Sequence, residues 1–122
     1  MERCFLNHTN HPSDRWEKEQ MRAASSYGVV EDLPFPVVLP GWTTEQVDAL
    51  AAAYAARILD REPAAVLCQG ESCYVFSLVT RLKAAGIPVL AACSERRVRE
   101  REDEAGNIIR ESQFCFVQFR GY

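Results

Sequence analysis

Little in this chain announces a chemistry, and each gap excludes something. No apolar run reaches membrane-spanning length and no N-terminal signal pattern is present, so a cytoplasmic protein with no membrane contact is expected. The five cysteines, Cys4, Cys68, Cys73, Cys93 and Cys115, form an odd, scattered set without a C-x-x-C pair. That usage fits reduced thiols packed as small hydrophobes, not a zinc site or a disulfide frame. Cys73 stands apart because it falls beside a candidate site loop. No G-x-G-x-x-G, Walker or G-x-S-x-G sequence occurs, which removes the usual dinucleotide, P-loop and serine-hydrolase signatures. Positive charge is in deficit. The formal net charge is −3, which argues against a coat for long nucleic acid and leaves only a local anion site open. Histidine occurs twice, and both copies share one stretch, Asn7-His8-Thr9-Asn10-His11-Pro12-Ser13.

What is present is an ordinary globular composition, 48% hydrophobic and 25% charged over 122 residues, enough for one domain with its own core. Residues 3–7 read as a first strand. Ser13 is placed to cap a helix running to about residue 26, with Trp16, Gln20, Ala23 and Tyr27 on one face and Gly28 as its stop. Residues 29–33 read as a second strand, and Pro34, Pro36, Pro40 and Gly41 force an irregular connection. Thr43 or Thr44 caps the next helix, in which Val47, Leu50, Ala51, Tyr54, Ala55 and Ile58 repeat with helical spacing. Residues 64–68 form a buried strand broken by Gly70. A third helix follows, with Val75, Leu78, Val79 and Leu82 inward and Gly86 at its end. Residues 87–93 make a fourth strand.

This β-α-β-α-β-α-β pattern predicts a single α/β domain over residues 1–122, Rossmann-like, with a mainly parallel sheet flanked by helices and right-handed crossovers. The tail, residues 97–120, changes character and reads as a β-hairpin. Its charges alternate, a turn falls at residues 103–107, and the run Phe114-Cys115-Phe116-Val117-Gln118-Phe119 is expected to join the core.

An open parallel sheet binds ligands beyond the carboxyl ends of its strands, at the switch point. If the first and third strands are neighbours, three loops meet there: residues 7–13, Gln69-Gly70-Glu71-Ser72 and Ser94-Glu95-Arg96. They bring together amides, hydroxyls, imidazoles, a carboxylate and a guanidinium, and two of them lead into helix N-termini that attract phosphate. Each residue also has a plain structural reading. Asn7 can bridge backbone at a strand end, and His8 can be packed in the fold. Ser13 and Ser72 can be caps, and Gly70 can serve a tight turn that also lets a phosphate approach. Glu71 can be a solvated first-turn acid, and Arg96 can pair with Glu95 or Glu71.

The stretches at these loops carry a resemblance. They are Leu6-Asn7-His8-Thr9-Asn10-His11-Pro12, Asp32-Leu33-Pro34-Phe35-Pro36, Val66-Leu67-Cys68-Gln69-Gly70-Glu71, Val89-Leu90-Ala91-Ala92-Cys93-Ser94-Glu95-Arg96 and Phe116-Val117-Gln118-Phe119-Arg120-Gly121-Tyr122. In order and across nearly the whole chain they resemble a small CRISPR-associated family, the CARF-like ring nucleases of type III systems. The resemblance implies a CARF-like homodimer that binds a cyclic oligoadenylate second messenger, cyclic tetra-adenylate first and cyclic hexa-adenylate second, and linearises it to end a defence response. It implies no metal and no cofactor. A ribose 2′-hydroxyl would attack the adjacent phosphate, leaving a 2′,3′-cyclic phosphate and a free 5′-hydroxyl.

On that reading His11, Asn10, Glu71 and Arg96 are the catalytic candidates. His11 would act as general base or acid, Arg96 with Ser94 and the N–H groups near Gly70 would meet the phosphoryl charge, and Glu71 would orient the hydroxyl or read an adenine amino group. Asn7, His8, Thr9, Gln69, Gly70, Ser72 and Ser94 are the ligand-binding candidates. Three rivals stand beside it. One is a non-catalytic sponge for the same messenger. Another is a metal-dependent nucleotide hydrolase built on His8, His11 and Glu71. The last is an adaptor whose charged hairpin contacts another protein.

Overall fold

The first strand, β1 (Cys4–His8), is buried along its whole length, and its alternation divides the protein into two cores. The computed structural model of the chain describes residues 3–122. After β1 come a 3-10 turn (Ser13–Arg15), α1 (Lys18–Ser25), β2 (Val29–Asp32), α2 (Thr44–Arg61), β3 (Ala65–Cys68), α3 (Ser72–Ala84), β4 (Val89–Glu102) and β5 (Ile108–Gly121). The five strands form one sheet in the order β2-β1-β3-β4-β5. The pairings β1–β2, β1–β3 and β3–β4 are parallel, and β4–β5 is an antiparallel hairpin. The α/β architecture, the largely parallel sheet, the neighbouring first and third strands and the C-terminal hairpin all agree with expectation.

Cys4 and Leu6 of β1, with Val66, Cys68 and Val89, face α2 and α3, whose Val47, Ala51, Ala55, Ile58, Leu78 and Leu82 complete the larger core. Phe5, Ala65, Leu67 and Leu90 face the other way, against Ala24 of α1 with Trp16 and Phe119 beside them. Period-two alternation therefore gives β1, β3 and the start of β4 two apolar faces, as a sheet covered on both sides requires.

Among the helices, α2 follows the sequence most closely. Thr43 is its N-cap: the Thr43 hydroxyl accepts from the Gln46 N–H, and the Gln46 side chain accepts from the Thr43 N–H, a reciprocal capping box. The helix closes on Glu62 in the left-handed region, at φ 47°.

Three expectations need correction. The first helix does not start at Ser13, which opens a 3-10 turn behind Pro12, and its buried residue is Ala24, while Tyr27 of the expected face lies past its end and is exposed. A short 3-10 turn ends at Trp16, whose backbone is extended (ψ 151°), and α1 begins two residues later behind Glu17. Trp16 is held away from helical geometry by its own contacts, an indole N–H donated to the His11 carbonyl and an edge-on packing against Phe5.

Ser94-Glu95-Arg96 is not a loop. β4 runs without interruption from Val89 to Glu102, and these residues pair with Phe116, Cys115 and Phe114. The strand continues because β5 supplies a partner long after β3 has ended. The return strand also joins the core less fully than expected. Phe116 and Phe119 are half-buried and stack at 4.9 Å, while Phe114 and Val117 stay exposed. A register shift beside Cys93/Ser94 separates the part of the hairpin that packs on the sheet from a ribbon that projects beyond it.

Candidate functional site

The carboxyl ends of β1 and β3 lie side by side, with β2 and β4 outside them, so the switch point falls where the histidine loop leaves β1. The loop is built by Asn7, which is buried. Its amide nitrogen donates to the Asp32 carboxylate and to the His11 carbonyl, each at 2.9 Å, and its amide oxygen accepts from the Thr9 hydroxyl at 2.8 Å. The Thr9 hydroxyl also accepts from the His11 N–H. Asp32 closes the far side by accepting from the Ser13 N–H. Asn7, Thr9 and Asp32 thus spend their polar groups on the shape of the loop. Asn10 and His11 are left exposed at its tip.

The two histidines part company. His8 has no exposed surface and points into the α2–α3 core, among Phe35, Tyr54 and Tyr74. Its Nδ1 lies 2.8 Å from the Leu33 carbonyl, which can only accept, so Nδ1 carries the proton. Its Nε2 then accepts from the Tyr74 hydroxyl at 2.7 Å. Burial, with the nearby Arg57 charge adding to it, holds the His8 pKa below its usual value despite the Leu33 bond. Burial likewise pushes the Tyr74 hydroxyl far up, so it remains a donor. His8 is a neutral core residue with both nitrogens engaged.

His11 opens instead into a cleft of about 410 Å³ on the α1 side of the sheet. Thr9, Asn10, His11, Gln69 and Ser94 line it, so five of the sequence candidates meet there. Arg15, Glu17 and Phe114 line it too, none of which stood out in the sequence as a site residue. A signal for Arg15 did exist, since it is the first cation after the histidine loop. Phe114 gave none, because an apolar residue in an apolar strand reads as core.

Gln69 divides this cleft from a second hollow. Its side-chain amide pairs with both backbone groups of Ala92, accepting from the N–H at 2.9 Å and donating to the carbonyl at 3.3 Å, and so it continues the β3 edge by one residue. On the α3 side, Gly70, Ser72, Phe76, Lys83 and Tyr122 line a more apolar hollow of about 590 Å³. The Tyr122 hydroxyl reaches across it to donate to the Cys68 carbonyl, and burial pushes the Cys68 thiol up to about 12.

The other candidates lie elsewhere. Glu71 is the N-cap of α3: its carboxylate accepts from the Tyr74 and Cys73 N–H groups, bonds that hold its pKa down. Gly70 is required by Phe35, whose ring occupies the space a Cβ would take. Arg96 points along the ribbon and donates to the Ser112 hydroxyl, away from the cleft. Among the described residues, no group of three or more His, Cys, Asp or Glu side chains is placed to hold a metal ion. Likewise among the described residues, no helix is long and apolar enough to cross a membrane.

Comparison with known proteins matches residues 3–120 to one family model, described as the uncharacterized protein MJ1673 family. No curated protein and no solved structure matches.

Proposed function

The chain belongs to the MJ1673 family, and for it we propose the role of a ring nuclease that binds a cyclic oligoadenylate, cyclic tetra-adenylate first, and opens it without a metal. Membership assigns no chemistry, so the support lies in the site and in the resemblance of its loops. The observation that carries the reading is the polar cleft at the switch point, where His11, Asn10, Gln69 and Ser94 meet beside Arg15. The fold that goes with it is Rossmann-like and CARF-like, and the strand order supports that. A homodimer and a role in ending type III CRISPR signalling belong to the same reading.

The reaction needs positioning above all. The nucleophile is the ligand's own 2′-hydroxyl, and holding it in line with the leaving 5′-oxygen can supply roughly 7–11 kcal/mol of the barrier in favourable cases. His11, exposed at the tip of a loop stiffened by Asn7 and Thr9, takes or returns the proton. Arg15 meets the phosphoryl charge in place of Arg96, which the ribbon carries away. Glu71 is given a capping role and no chemical step.

One observation favours a second reading, the non-catalytic sponge. Among the described residues the His11 ring makes no hydrogen bond, so no third group orients it as an efficient base would be oriented.

The deciding experiment is single-turnover incubation of the protein with radiolabelled cyclic tetra-adenylate in EDTA. Linear products ending in a 2′,3′-cyclic phosphate are expected, with His11→Ala slowing the reaction on the order of a hundredfold and leaving the melting temperature unchanged. A ring retained intact would establish the sponge. Neither retention nor cleavage would end both readings.

A further inference from the structure

We propose that the cleft between α1 and the root of the ribbon selects adenine, and that Glu17 is the residue that reads it. This rests on the ring-nuclease reading only in taking a nucleotide as the ligand.

Glu17 stands just before α1 and lines the cleft. Its Oε1 accepts from the Phe116 N–H of β5 at 3.2 Å, which ties α1 to the ribbon root and fixes the carboxylate. Among the described residues Oε2 takes no hydrogen bond, so a cleft-lining side chain keeps one acceptor in reserve. Gln20, one helical turn on and lining the same cleft, adds an amide donor.

An acceptor beside a donor matches adenine, whose exocyclic amine donates and whose N1 accepts. Hypoxanthine and guanine reverse both groups, with a carbonyl oxygen facing the carboxylate. Phe114, two residues from the Glu17 anchor on β5, supplies the stacking surface. Phe114 lines the cleft yet is 69% exposed, while Phe116, on the same face of β5, is packed against Phe119. The fold therefore leaves one aromatic ring uncovered beside the base-reading pair, where any nucleobase gains by stacking. Arg15, three residues beyond Pro12, provides the cation for the attached phosphate.

The test compares cyclic tetra-adenylate with cyclic tetra-inosinate, and linear tetra-adenylate as a third probe, by isothermal titration against the full chain. Glu17→Gln is the informative variant. It keeps a carbonyl oxygen for Phe116 and replaces the remaining acceptor by a donor, so the ribbon stays tied while the reading group is inverted.

The wild-type protein is expected to bind the adenylate ring at least about tenfold tighter than the inosinate ring, and Glu17→Gln to erase or reverse that ratio. Phe114→Ala is expected to weaken all three probes about tenfold, and Phe114→Trp to restore them. Arg15→Ala should weaken both rings alike. Adenylate binding with an adenylate-to-inosinate ratio that Glu17→Gln leaves unchanged would overturn the inference and spare the ring-nuclease reading. Adenine-selective, Glu17-dependent binding without cleavage would uphold the inference while removing catalysis. If no probe binds, both fall together.

Discussion

A histidine is judged by what surrounds it, and His8 and His11 show how far three positions can separate two fates. The protonated Nδ1 of His8 is tied to Leu33 and its Nε2 to Tyr74, so a second proton would set an Nε2–H donor against the hydroxyl that donates to it. Burial, with the Arg57 charge adding to it, holds the folded-state pKa below that of the unfolded chain, about 6.5. The unfolded state takes up the proton first. Stability from this site is complete above about pH 6.5 and is lost as the pH falls towards the lower folded value. Urea midpoints taken across pH 7.5 to 5 should show the decline, and His8→Phe should flatten it. That variant also leaves the Leu33 carbonyl and the Tyr74 hydroxyl unpaired, at a cost on the order of 3 kcal/mol. A midpoint in the wild type that is independent of pH over this range would contradict the assignment.

Gly70 carries a second residue-scale test. Because its missing Cβ is filled by the Phe35 ring, Gly70→Ala should cost about 1–3 kcal/mol, and Phe35→Leu in the same chain should recover part of it. An additive double variant would show that the glycine serves its turn alone.

At the level of elements, α2 is set by local rules and the reach of β4 is not. α2 has its cap, its periodicity and its length written within one stretch, so its start at Thr44 behind Thr43 is legible. Thr43→Ala should lower stability by about 1 kcal/mol. At the other end, Glu62 sits at φ 47° where glycine is at ease, and Glu62→Gly should raise stability by roughly 0.5–1 kcal/mol in the same thermal or urea measurement. α3 hid its cap in the sequence because Glu71 is not a usual N-cap residue. Its two bonds, to the Tyr74 and Cys73 N–H groups, show the side chain taking that part. The reach of β4 depends on β5, which returns antiparallel to it far beyond the end of β3. That is why Ser94 and Arg96 read as loop residues and prove to be strand residues with separate destinations.

Across the whole protein, the ribbon and the body are distinct in their packing. Residues 94–102 of β4 are exposed throughout, and the pairs Arg101–Glu111 and Arg110–Glu100 that lace the ribbon lie in water. Surface pairs of this kind contribute little. Replacing residues 99–111, whose flanking positions Val98 and Ser112 are paired, by an Asn-Gly turn should therefore leave the melting temperature nearly unchanged. If the proposed function holds, cyclic oligoadenylate handling should survive as well, since Phe114, Ser94 and Glu17 are retained. A large loss of stability would place the ribbon tip within the cooperative unit. Loss of a partner protein alone would favour the adaptor role for the charged arm.

Sequence by itself determined the parts governed by neighbours within a few residues: the presence of three helices, the inward faces of α2 and α3, the buried strands, the turn of the hairpin, and the polar loop that leaves β1. These follow from periodicity, capping and backbone restriction, which act locally. Only the tertiary structure decided which groups the chemistry can use. The polar side chains of the loop were sorted by partners distant in the chain, Tyr74 for His8 at a separation of 66 and Asp32 for Asn7 at 25. Burial with a satisfied partner turns a reactive group into scaffold, and exposure in a cleft leaves it free. By that rule His8 became structure and Glu71, though exposed, was spent on its two capping bonds, while His11 stayed available and met Arg15, Glu17 and Phe114 from elements that no local pattern joins.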